Sequence, residues 1–138
     1  MSVEFKDFSH LIISKMEETC ENFLEEAGML IEAGAKDRTA VKTSQLKGSW
    51  TINKVGKYEV QVGSPLERAI WYERGTGEKA LDGNGRKGGW IYTDPETGKR
   101  IFTRGSRPFQ PLEKSYEANK NKIIKRGQQL FGDAFKGD

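Results

Sequence analysis

The chain has 138 residues, of which 35% are hydrophobic and 31% charged, and its formal net charge is +3. This length and composition predict a single domain over residues 1–138 with a modest core, and they exclude a large enzyme. Because the chain has one cysteine, Cys20, and one histidine, His10, an internal disulfide and a structural zinc site are also excluded.

Charge is distributed unevenly along the chain. Residues 1–35 carry 2 basic and 8 acidic groups, whereas residues 36–110 carry 15 and 8. This asymmetry favours either an oriented contact between copies or a basic face turned to an anionic partner. No run approaches the roughly 20 apolar residues of a membrane span, and the first residues lack a signal-peptide pattern. We therefore expect a cytoplasmic protein with no membrane partner.

The first segment has the pattern of a long amphipathic helix. Its apolar residues, from Phe5 to Ile31, recur at spacings of three and four, which predicts a helix over about residues 3–33. At 1.5 Å per residue this helix is about 45 Å long, more than a domain of this size covers. We expect it either to break near Gly28 or to pack part of its length on another chain.

Two hairpins are predicted in the middle of the chain, the sheet and loop region at about residues 46–105. In the first, strands that begin at Trp50 and end at Gly63 flank a turn at Gly56-Lys57. In the second, residues 90–93 and 100–103 flank a turn that contains Pro and Gly. We expect Trp50, Val60 and Ile101 to lie in the core.

A short helix and a long loop are predicted between the hairpins. The short helix covers residues 66–73 and ends at Gly75. Residues 75–105 contain 8 of the 16 glycines, and the part from Gly75 to Gly89 predicts an exposed loop that is poorly ordered in the free protein.

The last element is a helix that begins at Pro111 and runs to about residue 131. The whole pattern predicts an α+β fold. In it, an antiparallel sheet of about four strands packs against the long N-terminal helix and the C-terminal helix, with a long Gly-rich loop.

No catalytic, cofactor-binding or metal-binding residues are predicted. Residues 83–88 match the spacing of a dinucleotide-binding loop, but a strand rather than a helix follows them. Asp82 and Asn84 resemble the start of a calcium loop, yet Arg86 and Lys87 stand where that loop needs a ligand and a glycine. No framework of a known hydrolase surrounds Glu67 and Glu73.

The middle of the chain mixes aromatic and basic residues, a composition typical of proteins that bind single-stranded nucleic acid. We favour the alternative, in which the aromatic residues are buried and the basic residues are a solvated face. Candidates for phosphate contact remain at Arg86 and Lys87 and in the cluster Lys99, Arg100, Arg104 and Arg107.

Four segments occur in an order that resembles one protein family. They are TSQLKGSW (residues 43–50), YEVQVGS (58–64), RAIWYERGTG (68–77) and RPFQPLEKS (107–115). Together they resemble the neck or tail-completion proteins of long-tailed bacteriophages, with an N-terminal and a C-terminal helix where that family has them. The sequence departs from the family pattern at Ser44, where Gly is usual, and at Arg68, where Tyr is usual.

The resemblance implies structural roles for the residues that match the family's motifs, which are Leu46, Ser49, Ala69, Glu73, Pro108, Phe109 and Pro111. It also implies a virion protein without catalysis or cofactor, which acts in tail completion or head–tail joining. The implied partners are further copies in a ring, other neck and tail proteins (head-closure, tail-terminator or tail-tube proteins), and the end of the packaged DNA.

A ring of copies requires surfaces that meet neighbours. Our candidates are the acidic face of the first helix, including Glu21 and Glu25, and the Gly-rich loop, including Gly75, Thr76, Gly77, Arg86 and Lys87. The alternative function is a small basic nucleic-acid-binding module, and a hydrolase with an unrecognised site is a third hypothesis.

Overall fold

The computed structural model describes residues 9–40, 44–95 and 97–136. The helices and strands follow one another in the order α1 (Ser9–Asp37), α2 (Ser44–Ser49), β1 (Thr51–Gly56), β2 (Glu59–Gly63), α3 (Glu67–Arg74), β3 (Trp90–Thr93), β4 (Arg100–Thr103) and α4 (Pro111–Ala134). A short 3₁₀ turn, Gly77–Lys79, follows α3.

Helix α1 is continuous and does not break near Gly28. Both of its buried glycines lie where another element approaches closely: Gly28 faces Ile52 of β1, and Gly34 faces Ser115 and Asn119 of α4. The helix ends at Asp37, beyond the predicted end at residue 33. The predicted first turn, residues 3–8, lies outside the described residues.

Helix α4 packs antiparallel to α1. The Ser115 hydroxyl near its start donates a 2.7 Å hydrogen bond to the carbonyl oxygen of Ile31. Further along, Phe131 meets Phe23 edge to face, with ring centroids 6.2 Å apart. Between these contacts the Arg126 guanidinium binds both carboxylate oxygens of Glu26, at 2.6 and 3.1 Å. The predicted start of α4 at Pro111 is confirmed, and the helix ends three residues past the predicted 131.

The α+β class is confirmed, but the prediction of one sheet of about four strands is wrong. Strand β1 pairs antiparallel with β2, and β3 with β4, in two separate two-stranded sheets. The first hairpin packs on α1, where the backbone N–H of Ile52 donates to Glu32 at 3.1 Å. The second is separated from it along the chain by α3 and the Gly-rich segment, so the two hairpins share no edge.

The buried core is small and lies where α1, α2 and α3 meet. Among the described residues, its buried hydrophobic side chains are Ala35, Leu46, Trp50 and Ala69. Trp50 is only 2% exposed, and its indole Nε1–H donates a 2.8 Å hydrogen bond to the hydroxyl of Thr39. The prediction that Trp50 is a core residue is confirmed. Val60 and Ile101 are only half-buried, because each lies on a two-stranded sheet with little cover.

Burial of the aromatic side chains is also less complete than expected. Several are about half exposed or more, namely Tyr58, Trp71, Tyr92 and Phe102. Tyr92 and Phe102 belong to a two-stranded sheet, which offers too little surface to cover large rings on both of its faces, whereas Tyr58 lies in the turn between β1 and β2 and Trp71 lies on the outer side of α3. The prediction that the aromatic residues are buried is therefore confirmed for Trp50 and wrong for these four.

Candidate functional site

Helix α3 is tied to the start of α4 by the carboxylate of Glu73. Its two oxygens accept hydrogen bonds from the backbone N–H groups of Leu112 and Glu113, both at 2.9 Å. These N–H groups belong to the first turn of α4, where a helix has no partners of its own for them. A carboxylate there also interacts favourably with the helix dipole. Glu73 thus caps α4 from another element and fixes the angle between the two helices.

The neighbouring Tyr72 ties three segments together. Its ring stacks on that of Phe109, with centroids 4.5 Å apart and 15° between the planes. Its carbonyl oxygen accepts from the Phe109 N–H at 2.9 Å, and its hydroxyl accepts from the Ala40 N–H at 3.1 Å. The segment before α4 is therefore held firmly against α3.

The Gly-rich segment is anchored at its start. The N–H of Thr76 donates to the carbonyl of Ser106 at 2.9 Å, and the N–H of Glu78 donates to that of Arg104 at 2.9 Å. Gly75 and Gly77 are buried, and their positive φ angles of 80° and 62° bring the backbone against residues 104–108 without a Cβ in the way. The prediction of an exposed loop from Gly75 onward is thus wrong for its first residues.

Beyond Leu81 the loop is mostly exposed, as predicted. The N–H of Gly88 donates to the Glu78 carboxylate at 3.1 Å, and this bond together with nearby Arg104 lowers the pKa of Glu78. Lys87 is exposed, and Arg86 lies over the ring of Trp90. Strand β3, not a helix, follows residues 83–88, so the arrangement needed to hold a dinucleotide phosphate is missing here.

The remaining motif residues pack close to these contacts. Leu46 and Ala69 are part of the buried core, and Pro111 is also buried. The hydroxyl of Ser49 shares a 2.6 Å hydrogen bond with that of Ser64, which joins the end of α2 to the end of β2. Four separate segments of sequence therefore meet around α3.

Beside this junction lies an open depression of about 710 Å³. We call it the aromatic groove, and its apolar lining consists of Leu46, Trp71, Tyr72, Trp90, Tyr92 and Phe109. Arg68 also lines it, and the guanidinium of Arg107 lies 4.6 Å from the centroid of the Phe109 ring. The lining also includes polar side chains, namely Ser44, Gln45, Thr76, Thr103 and Ser106. The groove therefore combines aromatic surface with polar groups and nearby guanidinium groups, a combination suited to binding a largely apolar partner that carries negative charge.

Glu21 and Glu25 lie elsewhere, in a second depression of about 400 Å³ between α1 and the β1–β2 hairpin. The Glu21 carboxylate is 3.9 Å from the ammonium of Lys54 in the same chain.

Nearby, Glu17 pairs with Lys57 at 2.8 Å and accepts a hydrogen bond from the Tyr58 hydroxyl at 3.0 Å, and these bonds lower the pKa of Glu17. Part of the acidic face is therefore neutralised within the chain. The candidate interface residues thus form two separate groups, one here and one on the Gly-rich segment.

A third exposed surface lies on the first two described turns of α1. Leu11, Ile12, Ile13 and Met16 are 48 to 55% exposed, and we call them the apolar ridge. The predicted apolar stripe included Ile12 and Met16 but not Leu11 and Ile13, and the sequence did not identify these four residues as a site, since an apolar stripe normally indicates core. It also missed the aromatic groove, for which the only signal was aromatic residues grouped at 71–72 and 90–92.

Within the described ranges, no helix is long and apolar enough to cross a bilayer, and no three His, Cys, Asp or Glu residues are grouped to hold a metal ion.

Comparison with known proteins supplies the family. A family profile described as "Bacteriophage HK97-gp10, putative tail-component" matches residues 7–75, which is half of the chain. The chain belongs to this family of phage tail components. Neither a curated protein nor a solved structure matches it significantly.

Membership in the tail-component family confirms the resemblance inferred from the sequence motifs and supports a structural role in the phage tail. The matched residues include α1 to α3 and end at Gly75. The fourth motif, residues 107–115, lies outside the match. It is nevertheless in direct contact with the matched part, through Glu73 and Tyr72.

Proposed function

We propose that this tail component acts in tail completion, at the joint between head and tail, as a non-catalytic subunit in a ring of identical copies. Its partners are then further copies of itself and the adjoining neck and tail proteins. It is made in the host cytoplasm and becomes part of the virion neck.

The observation that carries this proposal is how little of the apolar surface is covered within one chain. Four hydrophobic residues among those described are fully buried, whereas large apolar side chains are exposed on every helix from α1 to α4 except the short α2. Exposed apolar area on this scale marks protein interfaces. Two such surfaces, the apolar ridge and the aromatic groove, are on different parts of the chain, as a ring of head-to-tail contacts requires.

The test is genetic and structural. A phage that carries a nonsense mutation in this gene should produce DNA-filled heads and complete tail tubes that remain separate, as counted by electron microscopy of lysates. Expression of the wild-type protein from a plasmid should restore joined particles. Joined and infectious particles at normal yield without the protein would overturn the proposal.

A nucleic-acid-binding module is the second candidate, because the exposed rings of Trp71, Tyr92 and Phe102 lie in a basic part of the chain. Titration with single-stranded and duplex DNA at several salt concentrations separates the two functions. Phosphate contacts give a steep fall of affinity with salt. We expect weak binding without strand preference, and tight binding of single strands would favour the module.

A further inference from the structure

We infer that the apolar ridge of one copy inserts into the aromatic groove of the next. This rests on the proposed ring of copies and names the two surfaces that would build it.

The ridge is an uncovered continuation of a stripe that α4 covers elsewhere. At 3.6 residues per turn, Ile12 and Met16 lie within about 20° of the direction of Phe23 on α1, and Ile13 lies about 80° to one side. Phe23 contacts Phe131 and lies against Gly127, close to the end of α4. Helix α4 ends at Ala134, and the described turns of α1 before Met16 project past that end. Their apolar side chains are therefore exposed at one pole of the molecule.

The ridge cannot reach the groove of its own chain. Ala35, near the far end of α1, packs in the core with Leu46, and Leu46 lines the groove. From Ile12 to Ala35 a straight helix rises about 35 Å, at 1.5 Å per residue. Ridge and groove thus lie near opposite ends of α1, and only another molecule can bring them together.

The two surfaces match in size and chemistry. Two helical turns are about 11 Å long and about 10 Å wide, comparable to a groove of about 710 Å³. Aromatic rings and aliphatic side chains are favourable partners in the centre of an interface.

Their charges are complementary as well. Helix α1 carries seven acidic and two basic residues, four of the acidic ones (Glu17, Glu21, Glu26 and Glu32) being paired within the chain, and Glu18 follows the ridge in its next turn. Arg68 lines the groove, and the guanidinium groups of Arg86 and Arg107 lie over the rings of two other lining residues, Trp90 and Phe109. Such an arrangement favours one orientation of the incoming helix. Because the surfaces differ, the contact is heterologous, and its repetition closes into a ring or continues as a filament.

The test uses one charged substitution on each surface with a matched control. Trp71→Glu alters the groove, and its control is Ile70→Glu, the adjacent residue on α3, which is 58% exposed and does not line the groove. Ile12→Glu alters the ridge, and its control is Ile124→Glu on α4, which is 51% exposed. Circular dichroism melting checks that each variant folds, and Tyr92→Glu replaces Trp71→Glu if that variant unfolds.

Sedimentation velocity over a concentration series measures self-association. We expect Trp71→Glu and Ile12→Glu each to weaken it by at least about tenfold, as loss of an interface anchor does, while both controls behave as wild type. The decisive sample mixes the two variants. One retains its ridge and the other its groove, so together they should form a 1:1 dimer that does not grow.

A mixture that stays monomeric, or single variants that associate as wild type does, would overturn the inference. If wild-type rings still form in either case, the proposed function stands without this contact. A wild-type protein that is monomeric up to about 1 mM, the weak end of specific affinities, would also overturn it. If oligothymidylate binds the groove, Trp71→Glu abolishes that binding and self-association is unchanged, then the occupant is nucleic acid instead.

Discussion

Among single residues, Trp50 and Glu73 each hold separate elements of the fold together. Trp50 packs between α2 and the end of α1, and its indole N–H reaches Thr39, whose hydroxyl in turn donates to the Ala35 carbonyl at 2.7 Å. Glu73 connects α3 to α4 by two hydrogen bonds to backbone N–H groups. With so few buried hydrophobic residues, each of these contacts is a large part of the stability of the fold.

Replacement of Trp50 by alanine should lower the free energy of unfolding by about 3 to 5 kcal/mol, the usual cost of removing a large buried aromatic side chain. Urea unfolding followed by circular dichroism measures this. Trp71→Ala is the control. Because Trp71 is 51% exposed, its replacement should lower the free energy of unfolding by clearly less. A loss below about 1 kcal/mol for Trp50→Ala would show that this side chain is not a core residue.

Replacement of Glu73 by alanine should lower the free energy of unfolding by about 0.5 to 2 kcal/mol, as the loss of a helix cap does. Glu59→Gln, on an exposed strand, removes a carboxylate charge without removing a cap and should have little effect. Amide exchange at the start of α4 should rise selectively in Glu73→Ala. Equal losses for both variants would argue against the capping role.

Among the elements, the pair α1 and α4 forms the longest contact, and glycines make it close. A Cβ atom at Gly34 would lie 3.0 Å from the Cβ of Ser115 and 3.1 Å from the amide nitrogen of Asn119. Ser115 cannot simply rotate away, because its hydroxyl is bonded to the Ile31 carbonyl. Small residues at this crossing therefore set the distance between the helices.

Gly34→Ala should destabilise the protein by about 1 to 3 kcal/mol, the cost of overpacking, despite the better helix propensity of alanine. Gly132→Ala on α4 is the matched control, since a Cβ there meets nothing within 4 Å. It should stabilise the protein by up to about 1 kcal/mol. Thermal melting should show a lower melting temperature for Gly34→Ala and an unchanged or higher one for Gly132→Ala. A higher melting temperature for Gly34→Ala would contradict the close contact between α1 and α4.

Exposed ion pairs that hold α1 to its neighbours predict sensitivity to acid. Hydrogen bonds from Lys57 and Tyr58 lower the pKa of Glu17 from its usual 4.5, and a hydrogen bond from Arg126 lowers that of Glu26. A carboxylate with a lowered pKa in the folded state stabilises the fold above its unfolded pKa. That contribution is lost as the pH falls through the folded pKa.

We therefore expect the melting temperature to fall as the pH is lowered from about 5 to below 4. The double variant Glu17→Gln, Glu26→Gln should melt lower than wild type at neutral pH, and the difference should shrink in acid and in high salt. Glu59→Gln is again the control. A difference that does not depend on pH would rule out the ionised carboxylates as its source.

The sequence predicts an element of this fold well when the residues that determine the element are close to it in sequence. The second hairpin, residues 90–93 and 100–103, and the start of α4 at Pro111 lie where they were predicted, because turn and cap residues act on their own neighbours. The separation of the two hairpins was not predictable from the pattern, since it depends on the anchoring of Thr76 and Glu78 to residues 104–106. The aromatic groove was missed for the same reason: its walls come from four segments that only the tertiary structure brings together.

On the scale of the whole molecule, stability should be graded from one end to the other. The buried residues Ala35, Leu46, Trp50 and Ala69 lie together at the end of α1 that is remote from the apolar ridge. The ridge and the part of the loop from residue 81 to 88 are mostly exposed. Local opening should therefore be easiest at these two places.

Hydrogen exchange of the dilute protein should show this gradient. Amides of α1 from about residue 28 to 37 and of the first half of α4 should exchange slowly, whereas residues 81–88 and the ridge should exchange fast. Residues 76 and 78 should be intermediate, because their N–H groups are bonded to residues 106 and 104. Strong protection across residues 81–88 in monomeric protein would contradict this gradient.

Because both ends of the Gly-rich segment and the second hairpin are anchored, the sequence between them can vary without changing the rest of the fold. This stretch begins at Thr76 and ends at Ser106. The Thr76 N–H donates to the Ser106 carbonyl and the Ser106 N–H donates to the Thr76 hydroxyl, so the two ends are held side by side. The described residues between them, which include β3 and β4, supply none of the buried hydrophobic residues of the core found in the described part of the chain, but they form one wall of the aromatic groove. Insertions, deletions and substitutions in this stretch can therefore reshape a binding surface while the body folds as before, much as an exchangeable loop does on a fixed scaffold.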